Sequence, residues 1–213
     1  MAEEKPTAAR RSLHAVAERL LAGPEYRAVG GIALRVVPGG FATAEGPAIR
    51  VNGGELVVDE ARRVPLVGTI ADVAAAAEIT EGPPEDLYHD HSDLGADPLQ
   101  LDPTATAQLT DWYLLVDAAL RAFAPGKTPV LWPEHFDVAI DLEDVTYGAS
   151  PGDGFCAVPY AYVSTSHPGP ESEYWNAPFG AYVEHTDLPT IDALVTFWKE
   201  GSQGLHDPAS GAG

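Results

Sequence analysis

The chain has 213 residues, and its 32 acidic against 12 basic side chains give it a formal net charge of −20. Because such a field repels polyanions, nucleic acid and anionic membrane surfaces are excluded as expected partners. Hydrophobic residues make up 45% of the chain, which supports a buried core in one large domain or two small ones and excludes disorder throughout.

Residues 1–79 are predicted to form an N-terminal unit of helix, β-hairpin and helix. Apolar side chains at helical spacing predict the first helix, and Gly23-Pro24 is expected to end it. Asn52-Gly53-Gly54 predicts a tight hairpin turn, because Asn and Gly tolerate a positive φ. The elements predicted in order are a helix at 7–22, a strand at 32–36, a hairpin at 48–51 and 55–58, a short strand at 64–67 and a helix at 69–78. Thr69 and Asp72 have the spacing of a capping box, which is expected to begin that last helix.

Residues 80–102 are predicted as a polar loop or linker. Its first part, residues 80–86, is broken by prolines, and the rest holds His and Asp side chains without a helical or strand period. A long segment of this kind inside a compact domain is commonly functional or mobile. The loop is therefore a candidate cover for a site.

Residues 103–201 are predicted as a C-terminal unit of helix, three strands and helix, followed by a disordered tail at 202–213. Asp102-Pro103 is expected to begin the first of these helices, as N-cap and first helical residue, and Pro125-Gly126 to end it. The remaining elements, in chain order, are a strand at 136–142, a turn-rich connection at 147–154, strands at 155–164 and 179–184, and a helix from Asp187 to Gly201.

His135 and Asp137 are the predicted catalytic pair, with His135 as acid/base and Asp137 as its orienting partner. On one strand face they would lie about 7 Å apart, and with a third group they could also hold a metal. Trp132, just before the pair, places an aromatic ring where a pocket wall could stand. The alternative is that Asp137, like Asp141 and Glu143, belongs to the hydrated face of a half-buried sheet.

His89 and His91 are the predicted metal ligands, because an H-x-H pair in an extended chain points both imidazoles to one side. The cofactor that this pattern suggests is a divalent metal. A site that joined these two residues to His135 and Asp137 would be chemically complete. The alternative is a solvated polar loop, since two histidines arise easily by chance in such a segment.

Aromatic side chains concentrate in the C-terminal strands and in the loop before the last of them. Rigid aromatic residues in a loop often serve binding, although packing in a core would use the same residues. The residues predicted to contact a ligand are Trp132, Tyr160, Tyr174, Trp175 and Asn176.

Several common catalytic motifs are missing from the sequence: the nucleophile elbow, the Walker loop, the dinucleotide fingerprint, H-E-x-x-H and C-x-x-C. Cys156 is the only cysteine, so the chain cannot form an internal disulfide, and a small buried hydrophobe is the expected role. The N-terminus shows no apolar leader, and no apolar run approaches the about 18 residues of a membrane span. A cytoplasmic protein is expected.

Three segments of the chain resemble an uncharacterised actinobacterial domain family of unknown function. They are Leu131–Asp137, Ser150–Asp153 and Tyr174–Ala181, and the resemblance covers mainly residues 128–200. It implies that the three segments belong together, and it implies no activity, since none is established for the family. Many members have Glu-Pro-Tyr where this chain has Val158-Pro159-Tyr160, so any role of that Glu is missing here.

These features predict an α+β fold, with an antiparallel sheet and three to four helices packed on it, in one compact domain overall. The function expected first is that of a small-molecule-binding protein, or an enzyme with a His/Asp site, whose pocket lies between residues 174–179 and the His135 face. The alternative is a non-catalytic scaffold that binds a partner protein through its acidic surface and exposed aromatic side chains.

Overall fold

The computed structural model describes residues 4–89, 91–166 and 172–206, and it has the predicted α+β class with antiparallel strands. The chain divides into two compact units that are not consecutive halves of the sequence. The first unit is Met1–Leu114 with Val130–Phe136, and the second is Leu115–Pro129 with Asp137–Gly213. Within the described ranges, no helix is long and apolar enough to cross a membrane.

The regular structure of the described residues comprises helices in four regions and ten strands. The helices are α1 (Lys5–Val16), a π-helical segment (Ala17–Ala22), α2 (Gly23–Val29), α3 (Ile70–Ala77), α4 (Pro103–Phe123), a 3-10 turn (His185–Asp187) and α5 (Ile191–His206). The strands are β1 (Leu34–Val37), β2 (Gly40–Thr43), β3 (Ile49–Asn52), β4 (Glu55–Val58), β5 (Arg62–Pro65), β6 (Val130–Trp132), β7 (Asp137–Leu142), β8 (Val145–Ser150), β9 (Tyr160–Thr165) and β10 (Gly180–Glu184).

The strands of the first unit lie in the order β6-β1-β2-β3-β4-β5, and each neighbouring pair is antiparallel. The predicted hairpin is confirmed, with Gly53 at a φ of 58° in the turn between β3 and β4. The sequence prediction missed β2 and β6. Gly39, at a φ of 82°, turns the chain straight back into β2 instead of only ending β1.

The first helix does not end at Gly23-Pro24, as the sequence predicted, but continues to Val29. Pro24 has no N–H to donate to the preceding turn, and the helix widens into a π-helical segment just before it. In that segment the N–H of Gly23 donates to the carbonyl of Glu18, five residues earlier. The wider turn lets the helix pass the proline.

Local capping signals were predicted correctly at two helix starts. Thr69 Oγ accepts from the backbone N–H of Asp72, whose carboxylate accepts in return from the backbone of Thr69, so a capping box begins α3. Asp102 accepts from the N–H groups of Thr104 and Ala105 at the start of α4. Both helices begin where these side chains replace missing backbone partners.

The second unit contains the end of α4, the antiparallel meander β7-β8-β9-β10, and α5. Strand β8 lies mostly where the sequence predicted a turn-rich connection, so that prediction was wrong. Glu143, at a φ of 56°, turns the chain between β7 and β8. Gly148 weakens the strand pattern of β8, but a Cβ there would lie 2.6 Å from the hydroxyl of Tyr162, so packing requires glycine.

Helix α5 runs to His206, beyond the end predicted at Gly201, so residues 202–206 are helical and not a disordered tail. A Cβ on Gly201 would lie 2.5 Å from the hydroxyl oxygen of Tyr174. Glycine therefore serves close packing here and does not end the helix. The rest of the predicted tail, residues 207–213, lies outside the described residues.

Candidate functional site

The first unit contains a buried carboxylate at Glu18, in the π-helical segment. Its side chain is 1% exposed, and it accepts three hydrogen bonds from the loop predicted at 80–102. The Nδ1 atom of His91 lies 2.6 Å from one carboxylate oxygen, and the backbone N–H and hydroxyl of Ser92 donate to the other at 3.0 and 2.6 Å. A buried carboxylate requires such donors, because it has lost its water.

Several contacts hold the loop on the first helix. The N–H of Gly82 donates to the carbonyl of Arg19 at 3.1 Å, and the Arg19 guanidinium donates to the carbonyl of Gly95 at 2.8 Å and pairs with Glu81. A Cβ on Gly23 would lie 1.7 Å from the carbonyl oxygen of Gly82, so only glycine lets the loop come this close. The loop is thus fixed on both sides of the residues that reach Glu18.

His91 has one ring nitrogen on the buried carboxylate and a ring that is partly open to solvent. Since Glu18 is an acceptor, Nδ1 carries the proton, and Nε2 of the neutral ring is left with a lone pair. Within the described part of the chain, no residue forms a hydrogen bond with Nε2, and the side chain is 40% exposed. The ring of Tyr88 packs at 5.2 Å from the imidazole, and burial, with Glu18 nearby, raises the pKa of Tyr88.

A second histidine, His14, lies one turn before Glu18 and is partly buried. Its Nε2 donates to the carbonyl of Pro133 at 2.8 Å, and its ring stacks on Phe136 with centroids 5.3 Å apart. Burial lowers the pKa of His14, while the Pro133 carbonyl and Glu18 act in the opposite direction. The charge of His135 also lowers the pKa of His14. The segment before β7 therefore lies close enough to the first helix for charges on the two to interact.

Two segments singled out in the sequence therefore meet at the first helix. The loop supplies His91 and Ser92, and Pro133 contacts His14. Glu134 acts electrostatically on Tyr88 of the loop. The centre of this cluster is Glu18, which the sequence prediction missed. The signal was a charged residue inside the apolar stripe of a helix, where a buried acid needs a partner from elsewhere.

Glu18 and His91 together can perform acid–base chemistry. A carboxylate on Nδ1 holds the imidazole in one tautomer and stabilises the imidazolium that forms when Nε2 takes a proton. Ser92 donates its hydroxyl proton to Glu18 and not to His91, so these three residues do not form a serine nucleophile relay. We call Glu18 and His91 the acid–base site.

His135 and Asp137, the predicted catalytic residues, have different surroundings. His135 lies in a turn with its side chain 66% exposed, and its nearest carboxylate, Glu134, is 3.7 Å away. Strand β7 begins only at Asp137, since Phe136 has a φ of 54°. Asp137 is 7% exposed and accepts from the Tyr162 hydroxyl, so it does not lie on a hydrated face. The catalytic role predicted for the two residues stays a prediction.

Metal binding at His89 and His91 receives no support from neighbouring ligands. Across the described residues, no group of three or more His, Cys, Asp or Glu side chains is placed to hold a metal ion. His89 is exposed, while His91 has its Nδ1 on Glu18. The partner that the structure gives His91 is the Glu18 carboxylate, and metal binding by the two histidines stays a prediction.

The residues predicted to contact a ligand in the second unit pack against the protein itself. Tyr174 donates to the carbonyl of Phe197 in α5, and Trp175 packs edge-on against Tyr174. Asn176 exchanges two hydrogen bonds with the backbone of Tyr182. Tyr160 donates to Asp153 in the turn at 150–153, and burial raises its pKa. Trp132 lies in β6 of the first unit, half-buried. Ligand binding by these residues stays a prediction.

No protein-family model matches the chain, and no curated protein or solved structure is significantly similar to it. The resemblance of residues 128–200 to an actinobacterial family therefore stays a prediction.

Proposed function

We propose that this chain is a small-molecule-binding protein that performs acid–base chemistry with His91 as the proton acceptor and Glu18 as its positioning residue. The observation behind the proposal is one contact: a carboxylate that is 1% exposed, 2.6 Å from Nδ1 of an imidazole that is itself open to solvent. A cytoplasmic location remains part of the proposal.

The alternative explanation is that Glu18 only ties the loop to the helix. Ser92 alone would serve that purpose, since its N–H and hydroxyl already give the carboxylate two donors. The contact with His91 adds a third donor whose second nitrogen points away from the carboxylate. That extra group favours chemistry over anchoring.

A generic ester tests the proposal, because it requires only a base and water. With p-nitrophenyl acetate, Nε2 of His91 would take a proton from water while the water oxygen bonds to the carbonyl carbon. The bond to the nitrophenolate oxygen then breaks, acetic acid and p-nitrophenolate leave, and both the acetic acid and the imidazolium release a proton to solvent. We expect His91→Gln to lower the rate about 100-fold, the low end for general-base catalysis.

The matched control is His89→Gln, two residues away in the same loop, which is exposed and has no carboxylate partner among the described residues. We expect it to keep the wild-type rate, and Glu18→Gln to lose activity while urea unfolding shows it still folded. Equal rates for the two histidine variants would overturn the proposal. The better hypothesis would then be that the chain binds a partner protein through exposed side chains such as Phe155, which is 46% exposed.

A further inference from the structure

A cleft of about 800 Å³ opens in the first unit, and no residue of the acid–base site lines it. It is bounded by α2, by the β3–β4 hairpin and by the end of α3. Its volume falls within the roughly 300–1,000 Å³ of small-molecule sites. Much of the wall is apolar: Pro24, Pro47, Ile49, Val58, Ala77 and Ile79.

Arg27 is the distinctive polar group of the cleft. Its guanidinium donates to the backbone carbonyls of Thr80, at 2.5 Å, and Gly82. These carbonyls orient the guanidinium but leave its charge uncompensated. Among the residues that the structure describes, no carboxylate forms an ion pair with Arg27. Arg27 thus presents a positive charge to the cleft in a chain whose net charge is −20.

Other arginines of the first unit show the contrast. Five of them form ion pairs with acidic side chains: Arg11 with Asp93, Arg19 with Glu81, Arg50 with Glu60, Arg62 with Glu78 and Arg63 with Glu55. Arg35 resembles Arg27, since it donates to a backbone carbonyl, that of Thr43, and has no carboxylate partner among the described residues. Arg35 does not line the cleft, which makes it a matched control.

We infer that this cleft binds a small molecule with one carboxylate and an apolar body, with Arg27 holding the carboxylate. A guanidinium matches a carboxylate in shape and can donate two parallel hydrogen bonds to it. The apolar wall would cover the rest of the molecule. Asp59 and Glu78 also line the cleft, and their negative charges would repel a doubly charged phosphate. Arg62, the other arginine of the lining, already pairs with Glu78 and so offers such a ligand no free cation.

The inference is tested by three probes that share one chain and differ in charge: octanoate, octan-1-ol and octylamine. Calorimetric titration of the full chain gives the affinities, and amide shifts of Ile79 and Thr80 in nuclear magnetic resonance spectra report the location. We expect octanoate to bind at least about tenfold more tightly than octan-1-ol, a difference that corresponds to about 1.4 kcal/mol. Equal binding of the three probes, or shifts outside the cleft, would overturn the inference.

Variants separate the charge of Arg27 from the shape of the cleft. Arg27→Gln should remove the preference for octanoate, Arg27→Lys should keep part of it, and Arg35→Gln should leave it unchanged. Ala61→Trp, which adds a large side chain to the lining, should weaken binding of every probe. Equal loss in Arg27→Gln and Arg35→Gln would show that only net charge matters. His91→Gln should bind octanoate like the wild type, so this inference stands or fails apart from the acid–base proposal.

Discussion

His14 and Glu18 lie one turn apart on the first helix, and both lose water to reach their positions. Glu18 accepts hydrogen bonds from the loop, and His14 donates one to the carbonyl of Pro133. Burial favours the neutral form of the imidazole, so the pKa of His14 is lowered. A proton on His14 is therefore tolerated better in the unfolded chain than in the folded one.

This difference predicts how stability depends on pH. The ordinary pKa of histidine is 6.5, and that of folded His14 lies below it, so the unfolded chain binds more protons as the pH falls through 6.5. The contribution of His14 to the free energy of unfolding should be complete above that pH and decline below it. Urea unfolding between about pH 7.5 and 5.5 measures the slope.

His14→Gln is the informative variant, because it keeps a donor for Pro133 and removes the titration. We expect its stability to fall less steeply with decreasing pH than that of the wild type. His89→Gln, at an exposed histidine whose charge is not among those that shift the pKa of His14, should follow the wild-type slope. If the stability of both variants depended on pH with the same slope, the pH dependence could not be assigned to His14.

The site was only half visible in the sequence. The H-x-H pattern marked the loop that contains His91, because two histidines in a polar segment are noticeable locally. Glu18 could not be paired with His91 beforehand, since 73 positions separate them and only folding brings them together. The burial of Asp137 was also hidden, because strand alternation assigned it to solvent.

The first helix shows at the scale of an element how packing overrides a local rule. Gly23-Pro24 is a strong stop signal, yet the helix continues, because the π-helical turn accommodates the proline and Gly23 faces the loop. Signals that act within four residues, such as the Thr69 capping box and the Asn52-Gly53 turn, predicted their elements correctly. Strand β6 was missed because its partner, β1, lies far away in the sequence. Strands β2 and β8 follow tight turns at Gly39 and Glu143, and the turn residues beside them hid their strand pattern.

Gly23→Ala tests whether the loop requires this close approach. Alanine normally stabilises a helix interior by about 0.5–1 kcal/mol relative to glycine. Here we expect a loss of about 2 kcal/mol, in the range for overpacking, because the Cβ would lie 1.7 Å from the Gly82 carbonyl oxygen. The free energy of unfolding in urea shows whether Gly23→Ala stabilises or destabilises the chain.

The matched control is Gly204→Ala in α5, where the nearest atom to a new Cβ is 3.6 Å away. It should be neutral or stabilising. If Gly23→Ala were stabilising too, the loop would not need the contact with the helix that the structure gives it.

Charge sets the behaviour of the whole molecule. Folding brings the acidic side chains that give the chain its net charge of −20 closer together. Long-range repulsion between acidic side chains therefore opposes the folded state. Ion pairs on the surface offset only part of it, since exposed pairs contribute about 0–1 kcal/mol each.

Screening should relieve this repulsion. Raising the NaCl concentration from about 0.01 to 0.15 M shortens the Debye length from about 30 to about 8 Å. We expect the urea midpoint at pH 7.5 to rise over this range. The same salt series near the sequence isoelectric point of about 4.4 is the control, and it should show little change. A midpoint that falls with salt at pH 7.5 would show that attractive pairs dominate.

The fixed partner and the reacting group of the acid–base site come from different kinds of structure. Glu18 belongs to a helix held by the core, whereas His91 belongs to a loop without regular structure. Evolution can exchange such a loop more freely than a helix. A relative with the same helix and a cysteine or tyrosine at position 91 would place a different reactive atom on the same carboxylate. One scaffold could thus acquire several chemistries by changing a single loop.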